Sequence, residues 1–418
     1  MTLFLDHNKY YRLPWSLPDN AISWLEVTKA CNIHCEGCYR ENDPGGHKPI
    51  DEIKHDLEIF KKFRKTDGVS LAGGDPLVHP DIVEIVRLIA RGGLKPIINT
   101  NGLALNRELL LELKKAGAAG FTLHVDSKQH RPFWKGKSEI ELNQLRLHFA
   151  EMLAEAGGLS CAFNSTVYED TLQDVPEIVA WGQKHIDVVH VLVFIAFRAA
   201  VLEKEFDYYA GGEKIDMSPI VYSKVDEDHR LDILSNDIVE VIRKRYPEFE
   251  PCAYLNGTEK PDTFKWLLTG RMGTKQKIYG YVGPRFMELA QTSHHLQKGR
   301  YLAYTKSTVQ RHGKAMLLLG LVDKGISGIA RNYFRSVRSN PSALLEPLYL
   351  QSVTIIQPGD TLCDGSFNMC DGCPDITVWK DQLAWSCRLE EQMKFGCFVR
   401  AVPKQGVRGR PHELRRKS

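Results

Sequence analysis

Short apolar segments alternate with amphipathic segments between about residues 23 and 200. The amphipathic segments carry apolar residues every three or four positions, as Ile53, Leu57 and Phe60 do, and this spacing predicts helices. Glycines at 92–93 and at 117 end two of these segments, as expected at helix C-termini. The short apolar segments predict strands at 24–27, 69–72, 96–99, 121–125, 161–167 and 188–195.

Six strands separated by helices predict a parallel sheet joined by right-handed crossovers. Six units are too few to close an eight-stranded barrel. We therefore expect an α/β fold with a partial (β/α)6 TIM-like barrel over residues 21–200. Functional residues of such sheets lie at the carboxyl ends of the strands, so motifs that directly follow a strand carry most weight.

The regular alternation ends near residue 200. A charged, turn-rich segment at 203–228 precedes predicted helices at 229–246, 286–296 and 315–326. Besides the barrel, we expect an N-terminal extension (1–20) and a connector and substrate-proximal region (201–350). A cysteine-rich α+β extension (351–402) and a basic, disordered tail (403–418) complete the predicted domain organisation.

Composition and charge narrow the possible classes of protein. The 418 residues are 43% hydrophobic and 26% charged, which is typical of a globular protein and excludes fibrous or disordered classes. Lys and Arg number 55 against 52 Asp and Glu, a balance that does not indicate a nucleic-acid partner. No apolar segment approaches the ~20 residues of a membrane span. We therefore expect a cytoplasmic protein, in which clustered cysteines serve metals or catalysis more often than disulfides.

The first cysteine group directly follows the first predicted strand, as Cys31-x3-Cys35-x2-Cys38-Tyr39. Three thiols at this spacing in one loop can turn onto one inorganic centre. A [4Fe–4S] cluster usually takes four thiolates, so three would leave one iron open to a non-protein ligand, which suits catalysis. The alternative is zinc, with His34 as a fourth ligand.

This motif, with its following aromatic residue, resembles the signature of the radical S-adenosylmethionine (SAM) superfamily, and the resemblance covers roughly residues 20–200. It implies that Cys31, Cys35 and Cys38 hold a [4Fe–4S] cluster whose open iron binds SAM. It also implies reductive cleavage of SAM to a 5′-deoxyadenosyl radical, with the electron coming from a donor such as flavodoxin or ferredoxin.

The resemblance extends to motifs after later strands. Gly73-Gly74-Asp75-Pro76 resembles the family's Gly-Gly-Glu-Pro element, which holds the SAM amino group, although Asp75 is one methylene shorter than Glu. Read alone, this stretch is a turn, as is the stretch at 99–102. Strand alternation allows only one of two adjacent strand residues to face inward. The other implied SAM-proximal residues are Tyr39, Asn99, Asn101, Asp126, Ser127, Asn164 and Ser165.

The second cysteine group lies near the C-terminus. Its Cys370-x2-Cys373-Pro motif resembles the cluster-binding turns of ferredoxins and the auxiliary SPASM or Twitch domains of radical SAM enzymes. We expect one auxiliary [4Fe–4S] cluster on Cys363, Cys370, Cys373 and Cys387, with Cys397 as the competitor for the last position. A structural zinc ribbon is the alternative.

We therefore expect a radical SAM enzyme that abstracts hydrogen from an unactivated carbon of a biosynthetic small-molecule or lipid substrate, assisted by the auxiliary cluster. The apolar segments 287–296 and 316–322 could line a lipid pocket or form the core of a second domain, and the basic tail could contact an anionic membrane surface. The alternatives are a radical SAM maturase that modifies a peptide or protein, and a non-catalytic zinc or iron–sulfur sensor.

Overall fold

The computed structural model describes residues 5–197, 206–220 and 233–404. The helices are α1 (Ile50–Phe63), α2 (Ile82–Arg91), α3 (Arg107–Ala116), α4 (Asn143–Ala156), α5 (Val175–Lys184), α6 (Ser235–Arg245), α7 (Pro284–Lys298), α8 (Ser307–Gln310), α9 (Gly313–Met316), α10 (Lys324–Ser339) and α11 (Leu389–Phe395). The strands are β1 (Tyr11–Arg12), β2 (Ile22–Thr28), β3 (Gly68–Gly73), β4 (Lys95–Thr100), β5 (Gly120–His124), β6 (Ser160–Val167), β7 (Val191–Ala196), β8 (Phe206–Ala210), β9 (Glu213–Ile215), β10 (Ala253–Leu255), β11 (Trp266–Gly273), β12 (Ile278–Tyr281), β13 (Tyr349–Ile356), β14 (Asp360–Thr361), β15 (Phe367–Asn368), β16 (Ile376–Trp379), β17 (Gln382–Trp385) and β18 (Arg400–Pro403).

Strands β2 to β7 lie side by side in chain order, and every neighbouring pair is parallel. This arrangement confirms the predicted partial barrel. Alternate residues of the strands, among them Leu25, Leu71, Phe121 and Phe163, are buried with apolar residues of the helices in one hydrophobic core. The opposite face of the sheet is more polar, and the candidate active site lies against it.

The sheet continues beyond β7. Strand β13 pairs in parallel with β7, β11 pairs antiparallel with β13, and β10 and β1 follow at the edge. The predicted boundary between residues 350 and 351 therefore falls inside β13, and the predicted extension 1–20 contributes β1 to the sheet. Both corrections arise from pairings between residues far apart in sequence, which leave no local pattern.

The region after the barrel differs from prediction in one helix. The prediction for 286–296 is confirmed by α7, and that for 229–246 in part by α6, since 229–232 lie outside the described residues, as does the tail beyond 404. The helix predicted at 315–326 is wrong. A 3-10 turn covers Leu317–Leu321, and the Asp323 carboxylate then caps α10 by accepting from the Ile326 N–H at 2.8 Å.

The segment 316–322 meets the core expectation only at its beginning, where Met316 and Leu317 pack against a second hydrophobic core. Leu318 is 79% exposed and Leu321 is 96% exposed, so these side chains neither line a pocket nor join a core. No helix in the described parts of the chain is long and apolar enough to cross a bilayer.

The loop between α7 and α8 closes the amino end of the sheet. The Tyr304 hydroxyl lies 2.9 Å from the Thr122 hydroxyl on β5, and the Tyr304 carbonyl accepts a hydrogen bond from Lys95 at 3.0 Å. Lys95 also pairs with buried Asp67 at 2.6 Å. These contacts hold the loop between α7 and α8 against the amino end of the sheet.

His190, just before β7, gives the fold a predicted pH dependence. Its Nδ1 accepts a hydrogen bond from the Cys161 N–H at 2.9 Å, and burial lowers the His190 pKa from 6.5 to about 4. The folded chain therefore binds this proton less strongly than the unfolded chain. Neutral His190 therefore contributes fully to the free energy of unfolding above pH 6.5. As the pH falls towards 4, about 3 kcal/mol of this contribution is lost. Urea unfolding of the metal-free protein at pH 7.5 and 4.5 should show a smaller pH effect for His190→Asn than for the parent, and an equal effect would contradict the assignment.

Candidate active site

The three cysteines of the first group lie together in the loop after β2. Cys31, Cys35 and Cys38 are all half-buried. Burial raises the pKa of each thiol, and the charges of Cys31 and Cys38 further raise the pKa of Cys35. The Asn101 side-chain N–H, from the loop after β4, lies 3.8 Å from Cys31 Sγ. The site therefore has three thiols in one loop at the carboxyl end of the sheet, close enough for their charges to interact.

The donor set fits an iron–sulfur cluster. Thiolates that raise one another's pKa are stabilised together by a cationic metal centre, which holds coordinating thiols deprotonated. Among the described residues, no three His, Cys, Asp or Glu side chains are already arranged as a metal-binding group. His34, the fourth ligand of the zinc alternative, is exposed.

The two glycines after β3 bring that loop against the cysteine loop. Gly73 has a φ of +119°, and a Cβ there would lie 2.1 Å from the Thr28 carbonyl oxygen. A Cβ on Gly74 would lie 2.1 Å from the carbonyl oxygen of Ala30, the residue before Cys31. The Asp75 N–H donates to that same oxygen at 2.8 Å. Glycine is required here because the backbones of two loops touch.

Asp75 joins the loops that follow β3 and β4. Its buried carboxylate accepts from the Thr100 hydroxyl at 2.8 Å, the Asn101 N–H at 2.7 Å and the Leu77 N–H at 2.9 Å. Burial raises its pKa, and these donors oppose the shift. Pro76 begins the following 3-10 turn. The structure therefore gives Asp75 a positioning role, and its direct contact with SAM stays a prediction, as does that of Asn99, whose side chain donates to the Leu71 carbonyl at 3.4 Å.

Asn164 and Ser165 face opposite sides of the sheet. The Ser165 hydroxyl donates to the Val125 carbonyl at 3.0 Å and accepts from Arg146 of α4 at 3.2 Å, so it belongs to the helix side. Asn164 pairs in register with His124 on the polar face. Its Oδ1 is buried and has no hydrogen-bond donor among the residues that the structure describes. A buried acceptor without a partner suits a ligand that supplies a donor.

Asp126, at the end of β5, lies beside this position. Its carboxylate binds His124 Nε2 at 2.8 Å and accepts from the Lys128 N–H at 3.0 Å. Burial raises its pKa, but the hydrogen bond and the charge of His124 outweigh burial and bring the pKa below its usual value. The Ser127 N–H donates to Glu139 at 2.6 Å. Contacts of Asp126 and Ser127 with SAM stay predictions.

The structure brings together three of the five C-terminal cysteines. The Cys373 thiol is hydrogen-bonded to Cys370, which together with burial raises the Cys373 pKa. Burial and the nearby Cys370 raise the pKa of Cys387 to about 12. Cys363 is exposed between the short strands β14 and β15, and Cys397 follows α11. Three of the five thiols thus influence one another's pKa, and the predicted ligand set of an auxiliary cluster stays a prediction.

A buried arginine connects the two cysteine groups. Arg40, two residues after Cys38, pairs with Glu26 of β2 and lies 3.8 Å from Glu390 of α11. It also donates to the carbonyl of Ser386, the residue before Cys387, at 2.5 Å. The hydroxyl groups of Tyr39 and Ser386 lie 3.5 Å apart. Tyr39, predicted to lie beside SAM, therefore reaches the C-terminal cysteine region.

Asp375 is a second residue that sequence reasoning missed. Burial raises its pKa to about 7, and the charge of Arg64 opposes the shift. Arg64 in turn donates to the Cys373 carbonyl at 2.7 Å. The Asp375 charge also contributes to raising the pKa of Tyr39 and of Tyr304, so its carboxyl lies near both of them. Only its place after the Cys-x2-Cys-Pro motif could have drawn attention to it.

Comparisons with known proteins agree with this geometry. Residues 25–182 match the family described as the Radical SAM superfamily. The AdoMet-dependent heme synthase of Methanosarcina barkeri is 34% identical over 108 residues, which are 25% of this chain and 30% of that protein. The 7,8-dihydro-6-hydroxymethylpterin dimethyltransferase of Methanocaldococcus jannaschii is 27% identical over 196 residues, which are 43% of this chain and 37% of that protein. The chain thus spans about a third of the length of these relatives.

Among solved structures, Streptococcus suis SuiB bound to the precursor peptide SuiA aligns with 56% of this chain and 47% of its own, at 17% identity and a TM-score of 0.40. The matched family segment contains the three-cysteine loop, the Gly-Gly-Asp-Pro loop and strands β3 to β6. This match implies a [4Fe–4S] cluster and SAM. Through its partial barrel and this segment, the chain is similar over residues 25–182 to the radical SAM superfamily.

Proposed function

We propose that this enzyme holds a [4Fe–4S] cluster on Cys31, Cys35 and Cys38, and that its reaction begins with hydrogen abstraction from an unactivated carbon of a small-molecule or lipid substrate. The observation that carries the proposal is the position of the three thiols beside the polar face of the parallel sheet. When bound, the cluster and SAM supply one electron and a 5′-deoxyadenosyl radical.

The chain's own residues orient and protect this site. Asn101 directs an N–H towards Cys31, and Asp75 holds the loops after β3 and β4 in one arrangement. Asn164 offers an acceptor to a SAM hydroxyl group on the polar face. Tyr304 closes the amino end of the sheet, which limits the entry of water that would compete with the substrate.

Two observations support a small molecule as the substrate. The heme synthase and the pterin dimethyltransferase that resemble this chain are named for small heterocyclic compounds. The buried Asp375 carboxyl lies near Tyr39, which directly follows Cys38, and it can bind a hydroxyl or amino group of a substrate. We further propose that a flavodoxin or ferredoxin supplies the electron.

Anaerobic reconstitution with iron and sulfide tests the proposed function. We expect a brown protein that, after reduction, releases 5′-deoxyadenosine and methionine from SAM. A protein that retains only zinc and leaves SAM intact would overturn the proposal in favour of a metal-binding or sensor function. Candidate substrates can then be screened with deuterated compounds, because abstraction transfers deuterium to 5′-deoxyadenosine.

Asn164 provides a test of the SAM site. We expect Asn164→Ala to weaken SAM binding about 5- to 10-fold, since one hydrogen bond contributes about 1 kcal/mol. Equilibrium dialysis of the reconstituted protein measures this change. Ser165→Ala is the matched control, because Ser165 faces the helices and should leave SAM affinity unchanged. Equal effects of the two variants would contradict the assignment of Asn164.

We also propose that Cys370, Cys373 and Cys387 hold an auxiliary [4Fe–4S] cluster. Cys387→Ala should then lower the iron content by roughly one cluster and leave 5′-deoxyadenosine formation from SAM intact. Cys363→Ala and Cys397→Ala identify the fourth ligand, since only the variant that removes a ligand should also lose iron. If Cys387→Ala retains the full iron content, the assignment is wrong.

A further inference from the structure

One surface of the region after the barrel combines exposed apolar side chains with exposed basic ones. The apolar part is the 3-10 turn before α10, where Leu318 is 79% exposed, Leu321 is 96% exposed and Val322 is 56% exposed. Leu345, in the segment after α10, is 87% exposed. Side chains of this size lose a favourable burial energy when they stay in water. A group of them on one surface indicates an interaction site.

The basic part is the outer face of α10. Lys324, Arg331, Arg335 and Arg338 are all exposed and recur at helical spacing, whereas Ile326, Ile329 and Tyr333 on the other side are buried. Within the described parts of the chain, these four basic side chains form no ion pair. Together with Leu318, Leu321, Val322 and Leu345 they are called the basic apolar face below.

The charge of the surrounding segment is strongly one-sided. Residues 299–339 contain eight Lys or Arg and a single acidic residue, Asp323, although the whole chain has a net charge of only +3. The Asp323 carboxylate is buried and accepts from the N–H groups of Gly283, Phe286 and Ile326. It therefore caps the start of α10 and adds no acidic side chain to the surface.

We propose that the basic apolar face docks this protein onto the surface of an anionic lipid bilayer. Exposed leucines enter the boundary between headgroups and acyl chains, while neighbouring Lys and Arg side chains bind the lipid phosphates. A second copy of the chain fits less well, because two basic faces would repel each other. A nucleic acid offers the basic residues phosphates but leaves the leucines in water.

The position of this face leaves the active site free. His312, just before the turn, forms a parallel bridge with Leu348 at the beginning of β13. The thiols of Cys31, Cys35 and Cys38 instead follow the carboxyl end of β2, which is parallel to β13 through the intervening strands. Docking at one end of the strands is therefore compatible with access to the site from the other end. The inference stands whether or not the proposed substrate is correct.

Vesicle co-sedimentation of the full chain tests the proposal. We expect binding to vesicles of phosphatidylcholine and phosphatidylglycerol at 7:3, and much weaker binding to phosphatidylcholine alone. Leu318→Ser/Leu321→Ser should lower partitioning about 10-fold or more, since both side chains lose their favourable burial among the acyl chains. Arg331→Gln/Arg335→Gln should also lower it about 10-fold, and this loss should diminish at high salt.

Two controls separate this surface from others. Leu111→Ser changes a leucine that is 48% exposed on α3 and should leave binding unchanged. Arg415→Gln/Arg416→Gln removes charge from the basic tail, and loss of binding in this variant alone would overturn the proposal. The proposal would also be overturned if the parent protein did not bind anionic vesicles. It would likewise be overturned if the parent protein formed dimers and Leu318→Ser/Leu321→Ser dissociated them. SAM cleavage should be unchanged in the docking variants, so failure of docking and failure of the proposed function are distinguishable.

Discussion

Replacement of Cys31 by alanine is expected to abolish the cleavage of SAM. Cys31, Cys35 and Cys38 are the thiols of the loop after β2, and a cluster held by only two thiolates would have two irons without a protein ligand, so it would be lost or would no longer present one defined iron to SAM. Because the three ligands act as one unit, we expect 5′-deoxyadenosine formation to fall about 10⁴-fold or more. The measurement is product formation under anaerobic, reducing conditions.

Cys161→Ala is the matched control for Cys31→Ala. Cys161 is a buried cysteine of β6 that belongs to the hydrophobic core and to neither cysteine group. Its replacement should reduce the thermal stability slightly and leave product formation unchanged. Cys31→Ala should also retain the iron held by the C-terminal cysteines. Undiminished SAM cleavage by Cys31→Ala would show that the catalytic centre lies elsewhere.

The sequence predicts the part of the fold that depends on local patterns. The six strands β2 to β7 are found within three residues of their predicted ends, because each is an apolar segment bounded by turns. Their parallel pairing follows from the helices between them. The pairing of β13 with β7, and of β1 with β10, joins residues more than 150 positions apart and has no local signal.

The candidate site also contains residues whose positions follow from local sequence patterns and residues whose positions depend on distant segments. The common position of the Cys31, Cys35 and Cys38 thiols in one loop follows from their spacing. The role of Asp75 in joining two loops could not be predicted, since it depends on where the residues after β4 lie. The position of Asp375 near Tyr39 and Tyr304 depends on the packing of three distant segments. The exposure of Leu321 could not be predicted, because an apolar sequence ordinarily forms a core.

The connection between the two cysteine groups leads to the last prediction. Arg40 and Glu26 are paired, and their side chains are 3% and 8% exposed, while the Glu390 side chain is 1% exposed. The positive charge of the Arg40 guanidinium thus balances the negative charges of two carboxylates that have almost no access to water. The charge of Glu26 correspondingly raises the pKa of Arg40 against the effect of burial. Removing the arginine would leave both negative charges buried.

We therefore expect Arg40→Met to destabilise the metal-free protein by about 3–5 kcal/mol, the cost of leaving a buried ion pair with one partner. Urea unfolding measures the loss, and Glu26→Gln/Arg40→Met should recover part of it, because the double variant buries one charge fewer. Arg87→Met is the matched control, because Arg87 pairs with Glu84 on the surface of α2, where both side chains are about 40% exposed. An exposed ion pair contributes less than about 1 kcal/mol to stability, so this variant should lose little. Similar losses for Arg40→Met and Arg87→Met would mean that the Arg40 network does not hold the C-terminal cysteine region against the catalytic loop.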